Sequence, residues 1–543
     1  MQHPFLRRMS LIPPLTLMCF LSLTIPAAAQ VDMLTQHGNN ARTGANLQET
    51  ILNTSNVNVA QFGKLFARSV DGQVYAQPLV VCGLDFHSKG KHDVLYVATE
   101  HNSVYAFDAD NPSESAPLWH VNLGPSAPYT DFYTGIWTDM DEEVGITSTP
   151  VIDPASHTIY VEAKTKENGQ YFHRLHALDL ITGKEKPGSP VTIQAQVPGT
   201  GIDAVNGVVT FNQKMQLQRP GLLLDEGIVF LGFGSHAIVE PYHGWLLGYD
   251  AKTLKQIFVF NTTPNGSEGS IWQSGQGPAA DADGTIYVSL GNGPNTGIGD
   301  ADVQKGGSDY ADCLLKINPK PTGSPIIDYF LPHDFAEMSQ GDRDFGSSGP
   351  MLFPGTNLVI SGSKEGDIYV ADRSNLGHFH PNDDDQIIQH FMGGNAHIHG
   401  SVIGWVTPNN DKVIYVWSEE DYMHSFKWQD GKFVPWITGP TRVPDGMPGG
   451  FLSISSDGNR AGTGILWATH PLNTDGNWAT VVGLLQAFDA SDPSKELWNS
   501  RQNPTRDDLG YFAKFCPPTV VNGKVYLATF SRQVVVYGLL PKN

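Results

Sequence analysis

Residues 94–110 read VLYVATEHNSVYAFDAD. A run of β-branched and aromatic residues, a polar turn and a second alternating run ending in aspartate describe two antiparallel strands joined by a tight connection. The phrase recurs along the chain, as TIYVEAKTKENGQYFHRLHALDLITGK (158–184), IVFLGFGSHAIVEPYHGWLLGYDAKT (228–253), TIYVSLGNG with CLLKINP (285–319) and LVISGSKEGDIYVADRSN (358–375). It returns as VIYVWSEEDYMHSFKWQDG (413–431), ILWATHP with GLLQAFDAS (465–491) and KVYLATFSRQVVVYGLL (524–540). Its anchors, Asp108, Asp179, Asp250, Asn318, Asp372, Lys427, Asp489 and Tyr537, lie 71, 71, 68, 54, 55, 62 and 48 residues apart. Short alternating strands of this kind cannot bury their apolar faces alone, but radially stacked copies can. Eight copies at this spacing predict an all-β chain, an eight-bladed β-propeller of four-stranded antiparallel blades. FGKLFARSV (62–70) is expected to supply the strand that closes the ring against the last copy.

The bulk numbers agree with that class. The 543 residues include 57 Gly and 37 Pro with only 16% charged residues, a composition of many turns rather than long helices. Arg7 and Arg8, the apolar run LIPPLTLMCFLSLTI and the small residues of PAAAQ form a secretory signal with cleavage expected after Ala29. The run is too short and too broken by proline to span a bilayer, and no later segment reaches that length. The chain therefore divides into a signal (1–29), an N-terminal lead-in (30–61) and one propeller domain (62–541), exported to the periplasm or secreted. Losing the signal takes the formal charge from −21 to −23, which argues against nucleic acid and anionic membrane as partners and leaves a small-molecule substrate. Cys82, Cys313 and Cys516 are too few and too dispersed for a disulfide framework.

In a propeller, residues at equivalent turns of different repeats converge. Polar groups stand at such turns in three consecutive copies: Glu240 with His236 and His243, Asn292 in LGNGPN, and Asp342 with Asp344 in GDRDFGSSGP. Lys364 follows in the turn of the fifth copy. Glu, Asn and Asp form an oxygen-rich set of the kind a calcium-like cation selects, beside which a carboxylate can act as base and a lysine can stabilise negative charge. A second cluster competes: His397 and His399, two residues apart in NAHIHGSVIGW, with Glu419 in the same repeat, as for a transition metal supporting hydrolysis or elimination. His101 and His470, at comparable positions after their strands, would extend it. Trp119, Trp245, Trp272, Trp405, Trp417, Trp467 and Trp498 are expected to be blade-packing core.

AFDADNPSESAPLW, ALDLITGK and AFDASDPSKELW are similar to the tryptophan-docking blade motif A-x-D-x-x-T-G-x-x-x-W. From about residue 60 to 541 the chain resembles the quinoprotein alcohol dehydrogenase propeller superfamily, whose members bind pyrroloquinoline quinone (PQQ) on a calcium or lanthanide ion. The resemblance implies roles. Glu240 in EPYHGWLLGYDA, one place off the usual spacing, Asn292 in IYVSLGNGPN and Asp344 would hold the metal. Asp342 would be the catalytic base, and Lys364 in SGSKEGDIYVADRSN would contact the quinone. Two departures stand out. The cysteines are not adjacent, so they form no ring over the cofactor, and no C-x-x-C-H attaches a haem, so electrons would leave to a separate acceptor. Three functions remain open at this level: a PQQ-dependent dehydrogenase of an alcohol or sugar hydroxyl, a non-catalytic propeller scaffold, and a metal-dependent hydrolase or lyase built on His397 and His399.

Overall fold

The computed structural model describes residues 1, 30–133, 140–237, 239–294 and 301–541. Apart from Met1, the expected signal lies outside the described residues. Contacts divide the chain into Met1–Gln30 and Val31–Asn543, and the second unit is an eight-bladed β-propeller. Blades 1 to 7 occupy 79–122, 151–192, 223–261, 279–330, 351–392, 403–442 and 451–499, and blade 8 combines 519–539 with strand Phe62–Ser69. That strand pairs antiparallel with Gln533–Leu539, from Phe62 opposite Leu539 to Ser69 opposite Gln533, so the ring closes as the sequence predicts. Among the described residues helix is confined to short pieces such as Phe335–Gln340 and Pro504–Asp507, and none is long and apolar enough to cross a membrane.

The recurring residues each have a mechanical reason. Asp108, Asp179, Asp250, Asp372 and Asp489 end the third strand of their blades. Their carboxylates accept backbone N–H groups two or three residues on, as Asp250 does from Lys252 and Thr253, which folds the turn to the outer strand. The period-2 alternation of the strands buries both faces between neighbours: Ile159 and Val161 of blade 2 pack with Val94 and Tyr96 of blade 1. Tyrosines of the second strands reach across to the residue after the next anchor, Tyr96 Oη donating to Leu180 O, Tyr160 to Ala251 O and Tyr415 to Ala490 O. The tryptophan motif is visible between blades 1 and 2, where Trp119 Nε1 donates to Leu180 O at 2.8 Å. Its ring lies where a Cβ on Gly183 would be, 2.5 Å from Trp119 Cε3, and Gly183 has φ +67°, so glycine is required there twice over.

Residues 33–46 visit the blades in ring order. Met33 exchanges backbone hydrogen bonds with Val80 of blade 1, and Leu34 O accepts from Ile152 of blade 2. Arg42 and Thr35 reach Leu222 O beside blade 3. Asn40, Ala41 and Thr43 carbonyls accept from Ala280, Leu352 and Gly404 of blades 4, 5 and 6. Strand Ala45–Asn46 pairs in parallel with blade 7, and Asn46 Nδ2 donates to Val520 O of blade 8. Arg42 is fully buried and donates to Pro278 O, Thr35 Oγ1, Gln36 O and Leu222 O at 2.7–3.2 Å. The segment thus ties the innermost strands of all eight blades together.

Candidate functional site

Antiparallel blades put two kinds of loop on one face: the turn between second and third strands, and the loop that carries the chain from one outer strand to the next inner one. Both kinds line a cavity of about 240 Å³. The 2–3 turns supply Asn292, Lys364, Asn477 and Trp478, and the crossover loops supply Arg219, Trp272, Asp342, Asp344, His397, His399 and Phe515. Sequence-remote candidates therefore meet: Asn292, Asp342, Asp344, Lys364, His397 and His399 share one cavity, so the two clusters that compete in the sequence are walls of a single site.

Lys364 organises the first wall. Its ammonium lies 2.5 Å from Asp344 Oδ2 and 3.0 Å from Asp342 Oδ1. Burial alone would lower an ammonium, but Asp344 and then Asp342 more than reverse this and hold Lys364 above the usual lysine range. Burial likewise works against the Asp344 carboxylate, yet Lys364 and the Asn292 N–H keep it below the usual aspartate range. Asp342 differs: desolvation by the cavity walls raises it against the pull of Lys364, and its side chain remains 65% exposed. Its φ of +53° is a left-handed conformation that aspartate tolerates better than most residues.

Asn292 bridges the two aspartates, its N–H donating to Asp344 Oδ1 at 2.9 Å and its Nδ2 to Asp342 Oδ1 at 3.1 Å. Its Oδ1 is buried without a hydrogen-bond partner. A Cβ on the preceding Gly291 would stand 2.7 Å from Asp344 Oδ1, which is why that asparagine follows a glycine. An orphaned amide oxygen among carboxylates fits a hard cation, which would share Asp344 with the Lys364 ammonium. Trp272 fits a flat anionic ring: Lys364 Nζ and the Arg219 guanidinium lie 5.7 and 5.8 Å from its ring, and Phe515 meets it edge-on at 6.3 Å.

Two expectations change. Glu240 is exposed and does not line the cavity, and Glu268 occupies that wall. Glu240 stands behind it, accepting from Ser267 Oγ at 3.1 Å. Glu268 also has positive φ, +65°. Trp272, expected in the blade core, faces the cavity instead, whereas Trp245, Trp405, Trp417, Trp467 and Trp498 are core. The loops GSIWQSG, GDRDFGSSG and AHIHGS each precede an inner strand. Aligning the first two loops places Trp272 level with Asp344, each seven residues before its inner strand Ala279–Ala280 or Met351–Leu352, a signal that reading the strands alone misses.

Burial, opposed by the Tyr242 hydrogen bond and helped by the Glu240 and Asp344 charges, pushes the Glu268 carboxyl up from 4.5 to about 7. The folded chain thus binds this proton more tightly than the unfolded one, so the stability attached to it is complete below pH 4.5 and is lost as pH rises through about 7. Glu268→Gln in chelator-treated protein is expected to be near-neutral at pH 4.5 and to stabilise at pH 8 by up to about 3 kcal/mol. Urea midpoints at the two pH values measure it, and an equal shift at both would contradict the assignment.

His397 and His399 reach the cavity from the loop before blade 6, and Glu419, in the 2–3 turn of that blade, lies behind them. His399 Nε2 is 3.0 Å from Glu419 Oε1, and His397 Nδ1 is 3.3 Å from Glu419 Oε2. Burial lowers His397 to about 4 against the pull of Glu419, so its imidazole is neutral at pH 7. His101 and His470 stay apart: His101 pairs with Glu143, and His470 is buried between Pro471 O and Gln486 Oε1. The cysteines Cys82, Cys313 and Cys516 are free.

No family model and no curated protein matches the chain. Its fold does match solved structures. The quinohemoprotein alcohol dehydrogenase from Comamonas testosteroni superposes with a TM-score of 0.57 at 16% identity, over 95% of this chain and 82% of that one. A quinohemoprotein alcohol dehydrogenase from Pseudomonas putida HK5 gives 0.56 at 14%, over 94% and 81%. A europium-containing methanol dehydrogenase gives 0.56 at 12%, over 94% and 98%. At these identities the likeness is one of fold.

Proposed function

We propose that the chain is an exported quinoprotein-like oxidoreductase that oxidises an alcohol or sugar hydroxyl with PQQ and a calcium-type ion. The observation that carries this reading is the meeting of Asn292, Asp342, Asp344 and Lys364 beside Trp272 on one cavity, in a fold shared with quinoprotein dehydrogenases. When bound, the quinone supplies a two-electron acceptor for the hydride that leaves the alcohol carbon. The chain's own residues prepare that event. Asn292 Nδ2 and Lys364 Nζ both donate to Asp342 Oδ1, which orients the carboxylate and leaves Oδ2 to take the hydroxyl proton. An ammonium has three donors; with two spent on Asp342 and Asp344, Lys364 keeps one for an oxygen of the ligand. Asn292 Oδ1 and Asp344 would hold the metal, with Glu268 in the position that the sequence assigns to Glu240. Trp272 and Phe515 shape the floor and exclude water. With no haem-attachment motif, electrons pass to a separate acceptor, which the net negative charge would dock through a positive face.

The test is a titration of the purified protein with PQQ, with and without calcium, read by thermal shift. Ligand at about 100 times Kd adds roughly 2.7 kcal/mol of stability to the folded state. The expected result is a calcium-dependent rise that disappears in Lys364→Ala. No shift at saturating PQQ and calcium would overturn the reading.

A further inference from the structure

Among the described residues, two groups of metal-competent side chains have their ligand atoms within 4.8 Å of one another: His397, His399 and Glu419, and His333, Asp334 and Asp384. In the second, the central carboxylate is already engaged, since Asp384 accepts from the His333 N–H at 2.9 Å and pairs with the His333 and His390 rings, and Asp334 Oδ1 alone lacks a hydrogen-bond partner. In the first, every residue contributes an unpartnered ligand atom. His397 Nδ1, His399 Nε2 and Glu419 Oε1 are buried, and none has a hydrogen-bond partner.

The proton positions sharpen this. Ser274 Oγ has one hydrogen, and its 2.6 Å bond to Ser347 O uses it. The same oxygen lies 3.2 Å from His399 Nδ1 and must accept there, so Nδ1 carries a proton, and the tautomer that can bind a metal presents its lone pair at Nε2. That lone pair faces Glu419 Oε1 at 3.0 Å in a geometry that forms no hydrogen bond. Two acceptors held that close in a buried wall repel each other unless a cation satisfies both. The spacings suit one: tetrahedral ligands at zinc distances stand about 3.3 Å apart, and the two oxygens of Glu419 lie 3.0 and 3.3 Å from the two imidazole nitrogens, with one ligand atom of each residue within 4.8 Å of the others. Ser274 fixes the His399 tautomer from behind, as outer-shell partners of metal-bound imidazoles do.

We infer that His397, His399 and Glu419 form a binding site for one divalent first-row transition metal ion of the zinc type, with its open coordination position facing the same cavity. Two imidazoles and a carboxylate select zinc, copper or iron rather than calcium, so the site is chemically separate from the oxygen set around Asn292. It stands whether or not the chain binds a quinone.

The full chain, stripped with a chelator, loaded with zinc and freed of excess by gel filtration, is expected to retain about one metal per chain by elemental analysis. His397→Ala, a change at a side chain 38% exposed, should weaken zinc binding roughly 10–100-fold or more, and Glu419→Gln should do the same. Copper(II)-loaded wild type gives an independent reading, with electron spin resonance expected to show coupling to two imidazole nitrogens. Zinc retention below about a tenth of an equivalent in wild type, full retention in a folded His397→Ala, or a copper spectrum without nitrogen coupling would each overturn the site.

Discussion

Asp342→Asn is expected to lower turnover of the PQQ- and calcium-loaded protein by about 10²–10⁴-fold, the contribution of a positioned general base. Asparagine still offers Oδ1 to the Asn292 and Lys364 donors, so the local bonds survive while the proton acceptor is gone. Because Asp342 is 65% exposed, its ion pair with Lys364 contributes little to folding, and the denaturation midpoint should move by no more than about 0.5 kcal/mol. The diagnostic pattern is lost turnover with an intact PQQ thermal shift. Unchanged turnover would move the base to Glu268, whose carboxyl near 7 is the nearest substitute on the same cavity.

Arg42→Ala carries the largest expected stability loss, roughly 3–4 kcal/mol. The guanidinium serves Pro278 O, Thr35 Oγ1, Gln36 O and Leu222 O at once, and truncation strands these acceptors in a fully buried place. It also frees a residue held at φ +59°, a conformation that persists only where its surroundings impose it. Since residues 33–46 link every blade, the loss should appear in the global urea transition with an unchanged slope. A shift below about 0.5 kcal/mol, the range of an ordinary surface change, would mean that this segment does not tie the ring together.

The propeller was legible because its signals are local and repeated. An aspartate that folds its own turn, an alternation that buries both faces of a strand and a glycine under a neighbouring tryptophan each leave a mark at fixed spacing. Asn292 and Lys364 could be singled out by counting, since each sits in a turn between the second and third strands of its repeat, and Asp342 and Asp344 by their D-x-D phrase. Glu268 and Trp272 were missed: they too belong to a crossover loop, where the strand period stops and an inward side chain shows only when the loops are compared with one another. The linking path of residues 33–46 was equally hidden, because its hydrogen bonds join residues hundreds of positions apart in the chain.

By itself, the sequence determined the number of blades, the strand that closes the ring and the chemical types available at the turns, all consequences of short-range backbone and burial preferences. Only the tertiary structure decided that two clusters from different repeats share one cavity, that Glu268 rather than Glu240 reaches it, and that His399 Nε2 and Glu419 Oε1 face each other without a hydrogen bond. Those outcomes depend on how eight blades close around an axis, and ring closure brings together groups whose separation along the chain carries no information about their separation in space.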